Sequence, residues 1–326
     1  MSIKTYASAI RDVLAEELRR DPRVFVMGED VAEQGGIFGC TRGLVDEFGP
    51  ERIRNTPISE NTFVGAGVGA ASAGMRPVVE LMYMDFIYLC MDQLLNQAAK
   101  ARYMFGGKVK IPLVVRGQQG IGRGNAGQHS QSVESLLMHI PGIKVACPST
   151  PADAAGLLRT AIRDDNPVVF IEHKALYATK GEVPDDPDYA EPFGRCKVVR
   201  EGKDVTIVGN FLYLWKALEA ADILKKEGVE AEVIDPRTLV PLDIAAITES
   251  VKKTGRLVIV HEAHRTMGFG AEIAAAVTEG AFGYLDAPPV RIGSKMCTLP
   301  FNLGLENAVV PQTDDIVAAV KSTLYI

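Results

Sequence analysis

Short, uninterrupted apolar runs, each separated from the next by a longer amphipathic or mixed stretch, recur along this chain and set the tightest limit on its fold. The runs occupy residues 24–27, 77–81, 111–115, 143–146 and 168–171, then 205–208, 231–234, 257–260 and 289–292. They are rich in β-branched residues and lack the alternation of a half-exposed strand, so both faces of each strand need covering. The cover is visible in the intervening sequence. Ile10, Val13, Leu14 and Leu18 recur at helical spacing opposite Arg11, Glu16 and Arg19, and the pattern stops near Asp21-Pro22. Further helices are expected over 85–102, 151–163, the stretch holding Leu214, Ala217, Leu218, Ala221 and Leu224, and 316–324. Strand–helix alternation of this kind predicts an α/β fold built on parallel sheet.

The rhythm breaks at Gly181-Glu-Val-Pro-Asp-Asp-Pro-Asp-Tyr-Ala-Glu-Pro192, where three prolines and five acidic residues cannot build a core. A first α/β domain over 1–185, a linker over 186–198 and a second α/β domain over 199–326 are therefore expected. The net charge of −6, with no Lys/Arg run, argues against a nucleic-acid partner. The five cysteines (Cys40, Cys90, Cys147, Cys196 and Cys297) are far apart, with no C-x-x-C, and read as reduced thiols, mostly buried, not as a metal site or a disulfide framework. The opening Met1-Ser-Ile-Lys-Thr runs straight into the first helix, without a signal core or an Arg/Ser-rich transit segment. The longest stretch of small and apolar residues, 64–75, is too short and glycine-rich to span a bilayer. No membrane association and a cytoplasmic location are expected.

Three constellations invite a chemical reading. Gly65-Ala-Gly-Val-Gly-Ala fits a relaxed dinucleotide fingerprint, but it follows turn-like residues rather than a strand and reads as the interior of a helix, against a nicotinamide site. No G-x-x-x-x-G-K-[ST] loop is present either. As a helix, this segment carries almost no side chains, and each internal glycine costs about 1 kcal/mol relative to alanine. Close approach of another backbone, from a neighbouring helix or another subunit, is the expected compensation. Glu60, at the helix's start, complements the positive end of the dipole or serves chemistry; spacing alone leaves both open. His129 lies in the loop Gly120-Ile-Gly-Arg-Gly-Asn-Ala-Gly-Gln-His-Ser-Gln-Ser, after an expected strand, where ligands bind in open α/β sheets. An acid, base or oxyanion donor there, or a histidine bonded to local backbone, fits equally. His261 and His264, without further ligands at suitable spacing, read as structural.

Taken together, Thr56-Pro-Ile-Ser-Glu60, Gly74-Met-Arg-Pro-Val, Phe86 with Asp92-Gln93, Tyr103-Met-Phe-Gly-Gly, Gln128-His-Ser-Gln131, Pro141-Gly-Ile-Lys-Val, Asn166-Pro-Val and Leu285-Asp-Ala-Pro resemble the β subunits of the decarboxylase component of 2-oxo acid dehydrogenase complexes. The resemblance implies a transketolase-like fold: a pyrimidine-binding domain, then a smaller transketolase C-terminal domain. It further implies an α2β2 heterotetramer that shares thiamine diphosphate between subunits. The α subunit would hold magnesium and the diphosphate, consistent with the missing phosphate motif. Glu60 corresponds to the carboxylate on the aminopyrimidine ring, Phe86 to the aromatic packed on that ring, and His129 to a histidine that meets substrate or the lipoyl acceptor. Glu29 and Asp92 match acidic positions of a proton path between active sites. Leu113, Ala161, Ile162, Asp164 and Asn166 align with a potassium site built mainly of backbone oxygens. Ile326 matches the chain end that docks the lipoyl acyltransferase core, although an acidic residue expected to assist is replaced near Met296. The implied reaction is oxidative decarboxylation of a 2-oxo acid, of the pyruvate type, with acyl transfer to lipoamide. Leu81-Met-Tyr-Met-Asp-Phe-Ile, Arg102-Tyr-Met-Phe-Gly-Gly-Lys and Lys180-Gly-Glu-Val-Pro look closer to acetoin dehydrogenase β chains, so acetoin cleavage is the alternative. A non-catalytic interaction subunit is the second.

Overall fold

The computed structural model describes residues 1–326, and contacts divide the chain into two units. The first comprises Met1–Gln119 with Leu136–Phe193; the second comprises Gly120–Ser135 with Gly194–Ile326.

The first unit opens with β1 (Ser2–Thr5) rather than directly with the helix expected from the sequence. Thr5 then caps α1 (Tyr6–Arg20), its hydroxyl accepting from Ser8 N, while Arg19 and Arg20 complement the negative helix end. There follow β2 (Val24–Gly28), α2 (Leu44–Phe48), β3 (Ile53–Asn55), α3 (Glu60–Ser72) and β4 (Arg76–Leu81). The continuous helix expected over 85–102 is broken into a 3₁₀ turn (Met84–Cys90), a π-helical turn (Gln93–Ala98) and α4 (Ala99–Met104). Helical periodicity survives in all three winds, so residue spacing alone does not separate them. β5 (Val114–Gln119) starts three residues later than the apolar run suggests and continues through Arg116, Gln118 and Gln119. These polar side chains are fully buried, which hid the strand's true length. Next come α5 (Glu134–Met138), β6 (Lys144–Ala146), α6 (Pro151–Arg163), β7 (Val168–His173) and β8 (Lys180–Val183).

Strands run in the order β6-β7-β5-β4-β2-β3, all parallel, with α1 packed on α6 and α3 on β4. The proline-rich stretch makes hydrogen bonds to elements of the first unit. Its start, β8, pairs antiparallel with β1, Ser2 opposite Val183. Beyond it, Glu191 N donates to Gly156 O at 3.1 Å and Thr160 Oγ1 to Glu191 O at 2.6 Å. Hydrogen bonds to α6 thus order a segment that has little apolar surface to bury.

Within this chain the glycines of α3 meet side chains and not the backbone of a neighbouring helix. A Cβ at Gly67 would sit 2.9 Å from Val79 Cγ2, with Leu113 and Met27 close behind, so this glycine lets the helix settle onto sheet side chains. At Gly69 nothing lies within 4 Å, and Ala66, Gly69 and Ala73 form an exposed small-residue face.

The second unit contains β9 (Lys197–Arg200), β10 (Val205–Gly209), α7 (Leu212–Lys226), β11 (Ala231–Asp235), β12 (Thr238–Val240), α8 (Ile244–Thr254), β13 (Leu257–His264), α9 (Phe269–Ala281), β14 (Val290–Ser294), α10 (Leu303–Val309) and α11 (Thr313–Leu324). Its five-stranded sheet has the order β14-β13-β10-β11-β9, parallel except for β9 at the edge. Val205, Ile207, Leu214, Ala217, Val258 and Ile316 lie in its core, where α7 and α11 cover one face. No helix of the chain is long and apolar enough to cross a membrane.

Candidate active site

Glu60 is the first residue of α3, and only 5 % of its surface is exposed. Ser59 precedes it as N-cap, its hydroxyl turned to Thr62 Oγ1 at 2.8 Å instead of capping the backbone. The first-turn amides of the helix favour a negative charge at this point. Glu29 follows the last residue of β2, at the carboxyl end of a parallel strand. It too is 5 % exposed, and its Oε1 has no hydrogen-bond partner. Burial, then the charge of Glu60, then that of Asp30, push the Glu29 carboxyl up from 4.5 to about 7. Cys90 also feels Glu60: burial and then that carboxylate push its thiol up to about 12. The end of β2, the start of α3 and the 3₁₀ turn therefore enclose one dry pocket of like charge, where a carboxyl group can hold a proton near neutral pH. Phe86, half-buried, lies on that 3₁₀ turn, which packs against α3.

The raised Glu29 pKa has a thermodynamic signature. The folded state binds this proton more tightly than the unfolded chain, so the burial cost is absent below about pH 4.5, grows as pH rises, and is complete above about pH 7. Glu29→Gln removes that cost. The variant is expected to melt above the parent at about pH 8, with the gap closing towards about pH 5; paired thermal melts check this. A gap that stays constant with pH contradicts the assigned proton.

On the same sheet lies an ionic cluster that periodicity does not reveal. Arg116 on β5 donates from Nε and Nη2 to the two carboxylate oxygens of Glu172 on β7, both at 2.6 Å, and from Nη1 to Glu80 on β4. Tyr177 Oη donates to Glu172 at 2.6 Å, and the Phe38 ring stacks on Tyr177 at 4.4 Å. All three charged side chains are buried. Burial lifts Glu80 above the usual carboxylate range against the pull of Arg116. The only sequence sign of the cluster is a run of charged and amide residues inside an apolar β-branched strand.

His129 belongs to the second unit, in the loop between β5 and α5. It is half-buried, and its N–H meets Ala126 O at 3.4 Å, Ala126 being left-handed with φ of 59°. The other expected positions separate in character. Asp92 is exposed and accepts from Asn96 Nδ2 at 2.7 Å, so it does not join Glu29 in the dry pocket. Among the positions aligned with potassium, the carbonyls of Ile162 and Asp164 each accept from Arg76 Nη1 at 3.0 Å, Leu113 O accepts from Val168 N at 2.9 Å, and Ala161 O from Asp164 N at 3.3 Å. Asn166 N donates to Asp164 Oδ1 at 2.8 Å, and Lys144 pairs with the other oxygen of that carboxylate. A fixed guanidinium and an ammonium already supply positive charge there, a poor fit to a further cation. Ile326 is exposed at the chain end, as is Met296. His261 is buried with Nδ1 3.0 Å from Ala263 O, and burial drives its pKa down to about 4, the behaviour of a structural imidazole.

Residues 3–180 match the family described as the transketolase pyrimidine binding domain, and residues 194–316 match the transketolase C-terminal domain. The chain is 48% identical over 326 residues to a Cupriavidus necator protein named acetoin:2,6-dichlorophenolindophenol oxidoreductase subunit beta, covering 97% of this chain and 96% of that one. It is 47% identical over 322 residues to a Rickettsia bellii protein named pyruvate dehydrogenase E1 component subunit beta, covering 99% of each. Among solved structures, one titled as a split-gene transketolase, inactive beta4 tetramer, superimposes with a TM-score of 0.78 at 25% identity, covering 98% of both chains.

Proposed function

We propose, for a chain that belongs to the transketolase family of paired pyrimidine-binding and C-terminal domains, the role of β subunit in a thiamine-diphosphate-dependent 2-oxo acid dehydrogenase of the pyruvate type. The observation that carries this reading is the buried pair Glu60 and Glu29, one at a helix N-terminus and the other with an unpaired oxygen and a pKa near 7. A pocket of this kind suits a weakly basic heteroaromatic ring that must exchange a proton.

When bound, thiamine diphosphate supplies the nucleophilic carbon and the electron sink for cleavage beside a carbonyl. In this chain Glu60 binds the ring nitrogen of the aminopyrimidine and holds a proton at that atom, shifting the basicity of the exocyclic amine. Low dielectric makes the interaction strong, and the fixed helix start means that nothing has to reorganise during turnover. Glu29, its carboxyl pushed up to about 7, is suited to resupply that proton. Phe86 packs on the ring and excludes water. His129 orients the acyl acceptor and stabilises charge as it develops in the transfer step. Glu60 and Phe86 thus hold only the pyrimidine end. Magnesium and the diphosphate fall to an α subunit in an α2β2 assembly, and the acyl group passes to lipoamide on an acyltransferase core reached through the Ile326 end. The open small-residue face of α3 is suited to close packing with a partner helix.

Reconstitution tests the proposal. Mixed with its α subunit, thiamine diphosphate and magnesium, the chain is expected to release carbon dioxide from pyruvate and acylate a lipoyl domain, whereas the chain alone is inactive. Turnover by the chain alone at the rate of the mixture would overturn the assignment. A second reading, cleavage of acetoin, is favoured by the three motif stretches around residues 81–87, 102–108 and 180–184; a kcat/KM for acetoin above that for pyruvate selects it.

A further inference from the structure

The loop that carries His129 is bonded to two buried carboxylates from distant parts of the second unit. Glu262, on β13, accepts from Ile121 N at 2.8 Å and from Ser132 Oγ at 3.3 Å, at opposite ends of the loop, through the same Oε1. Glu306, on α10, accepts from Gly122 N at 3.1 Å through Oε2. These groups are 5 % and 1 % exposed, respectively. Gly120 N closes the loop base on Gln131 O at 3.3 Å. Two glycines then allow the loop to lie against residues 298–301: a Cβ at Gly124 would stand 2.7 Å from Phe301 O, and one at Gly127 2.3 Å from Thr298 Cγ2. Near both carboxylates stands Tyr213, whose buried hydroxyl has no partner; burial and then the charges of Glu262 and Glu306 hold it un-ionised.

Carboxyl oxygens bonded to backbone N–H groups make directional contacts in a buried site, and glycines at positive φ, such as Gly120, Gly122 and Gly124, need such contacts to stay in one conformation. We infer that Glu262 and Glu306 form a clamp that sets the position of His129 for acyl transfer to the acceptor, making them positioning residues for that step and not for cleavage of the substrate. The inference rests on the acceptor role proposed for His129. It also makes the C-terminal domain a part of the transfer machinery, because both carboxylates and the loop belong to one unit.

The test uses the enzyme reconstituted with its α subunit and two readouts: acylation of a lipoyl domain, and reduction of 2,6-dichlorophenolindophenol, a dye acceptor that bypasses lipoyl transfer. Glu262→Ala and Glu306→Ala are expected to lower lipoyl-dependent kcat by about 10²-fold, the scale of a reacting group displaced by about 1 Å, while dye reduction stays within about twofold. Glu262→Gln, which keeps an acceptor oxygen, is expected to restore most of the loss. Glu262→Asp, a milder retraction of the same oxygen, should show the same split and serves if an alanine variant does not fold. Equal losses with both acceptors, no loss with either, or a Gln variant as impaired as the Ala variant each overturn the clamp. His129→Ala is measured alongside. If it changes neither readout, the acceptor role of His129 fails; if it impairs transfer while the Glu262 and Glu306 variants do not, only the clamp fails.

Discussion

Glu60→Gln is expected to lower the kcat of the reconstituted enzyme by about 10²–10⁴-fold, the range of a lost general acid–base group, with little change in the fold of the chain. The glutamine matches the carboxylate in shape and remains at the N-terminus of α3, but it cannot hold or release a proton at the ring nitrogen. A second effect distinguishes this from general damage. The charge of Glu60 is the second cause, after burial, of the raised Glu29 pKa. With that charge gone, Glu29 titrates lower than about 7, and carbon-detected NMR of the side-chain carboxyl follows the change directly. Steady-state rates against pyruvate and the dye acceptor measure the first effect. A variant with near-normal turnover ends the role assigned to Glu60, whatever the family resemblance suggests.

Arg116→Leu is expected to cause the largest loss of stability among single substitutions in the first unit, about 3–5 kcal/mol, because it strands the buried carboxylates of Glu80 and Glu172 without a counter-ion. The fall in Tm is on the order of 10 °C for a domain of this size. The sign of its pH dependence follows from the geometry. Without the guanidinium, both carboxyls bind protons more tightly in the folded than in the unfolded chain, so the deficit is greatest at about pH 8 and shrinks towards about pH 5. Thermal melts of the parent and variant across that interval read both the size and the slope. A change of no more than about 2 °C would show that the cluster is solvated and not the buried triad described. This cluster lies across β4, β5 and β7, and the 3₁₀ turn bearing Phe86 follows β4, so its loss also endangers the placement of that turn.

Much of this architecture could be read from residue order. The both-sides-apolar runs mark the strands of two parallel sheets, and α6 spans the 151–163 stretch expected to be helical. The motif around Glu60 places a carboxylate near a glycine-rich helix; in the structure that carboxylate opens the helix. The apolar run predicts β5 three residues too early because the buried polar side chains at its end mimic a loop. The spacing predicts one continuous helix over 85–102 because 3₁₀, α and π winds share nearly the same short-range apolar spacing. The hydrogen bonds from the proline-rich segment to α6 leave no mark in its own hydropathy.

The sequence by itself determined the class of fold, a carboxylate beside the glycine-rich helix, and the glycine-punctuated loop around His129, since each is written in spacing over a few residues. The tertiary structure alone decided which groups meet. Parallel strands linked by crossovers bring Glu29 to Glu60, and Arg116 to Glu80 and Glu172. Folding across 141 and 184 residues brings Glu262 to Ile121 and Glu306 to Gly122. Proton affinity and loop position depend on dielectric and on partners remote in sequence, and local periodicity carries no information about either.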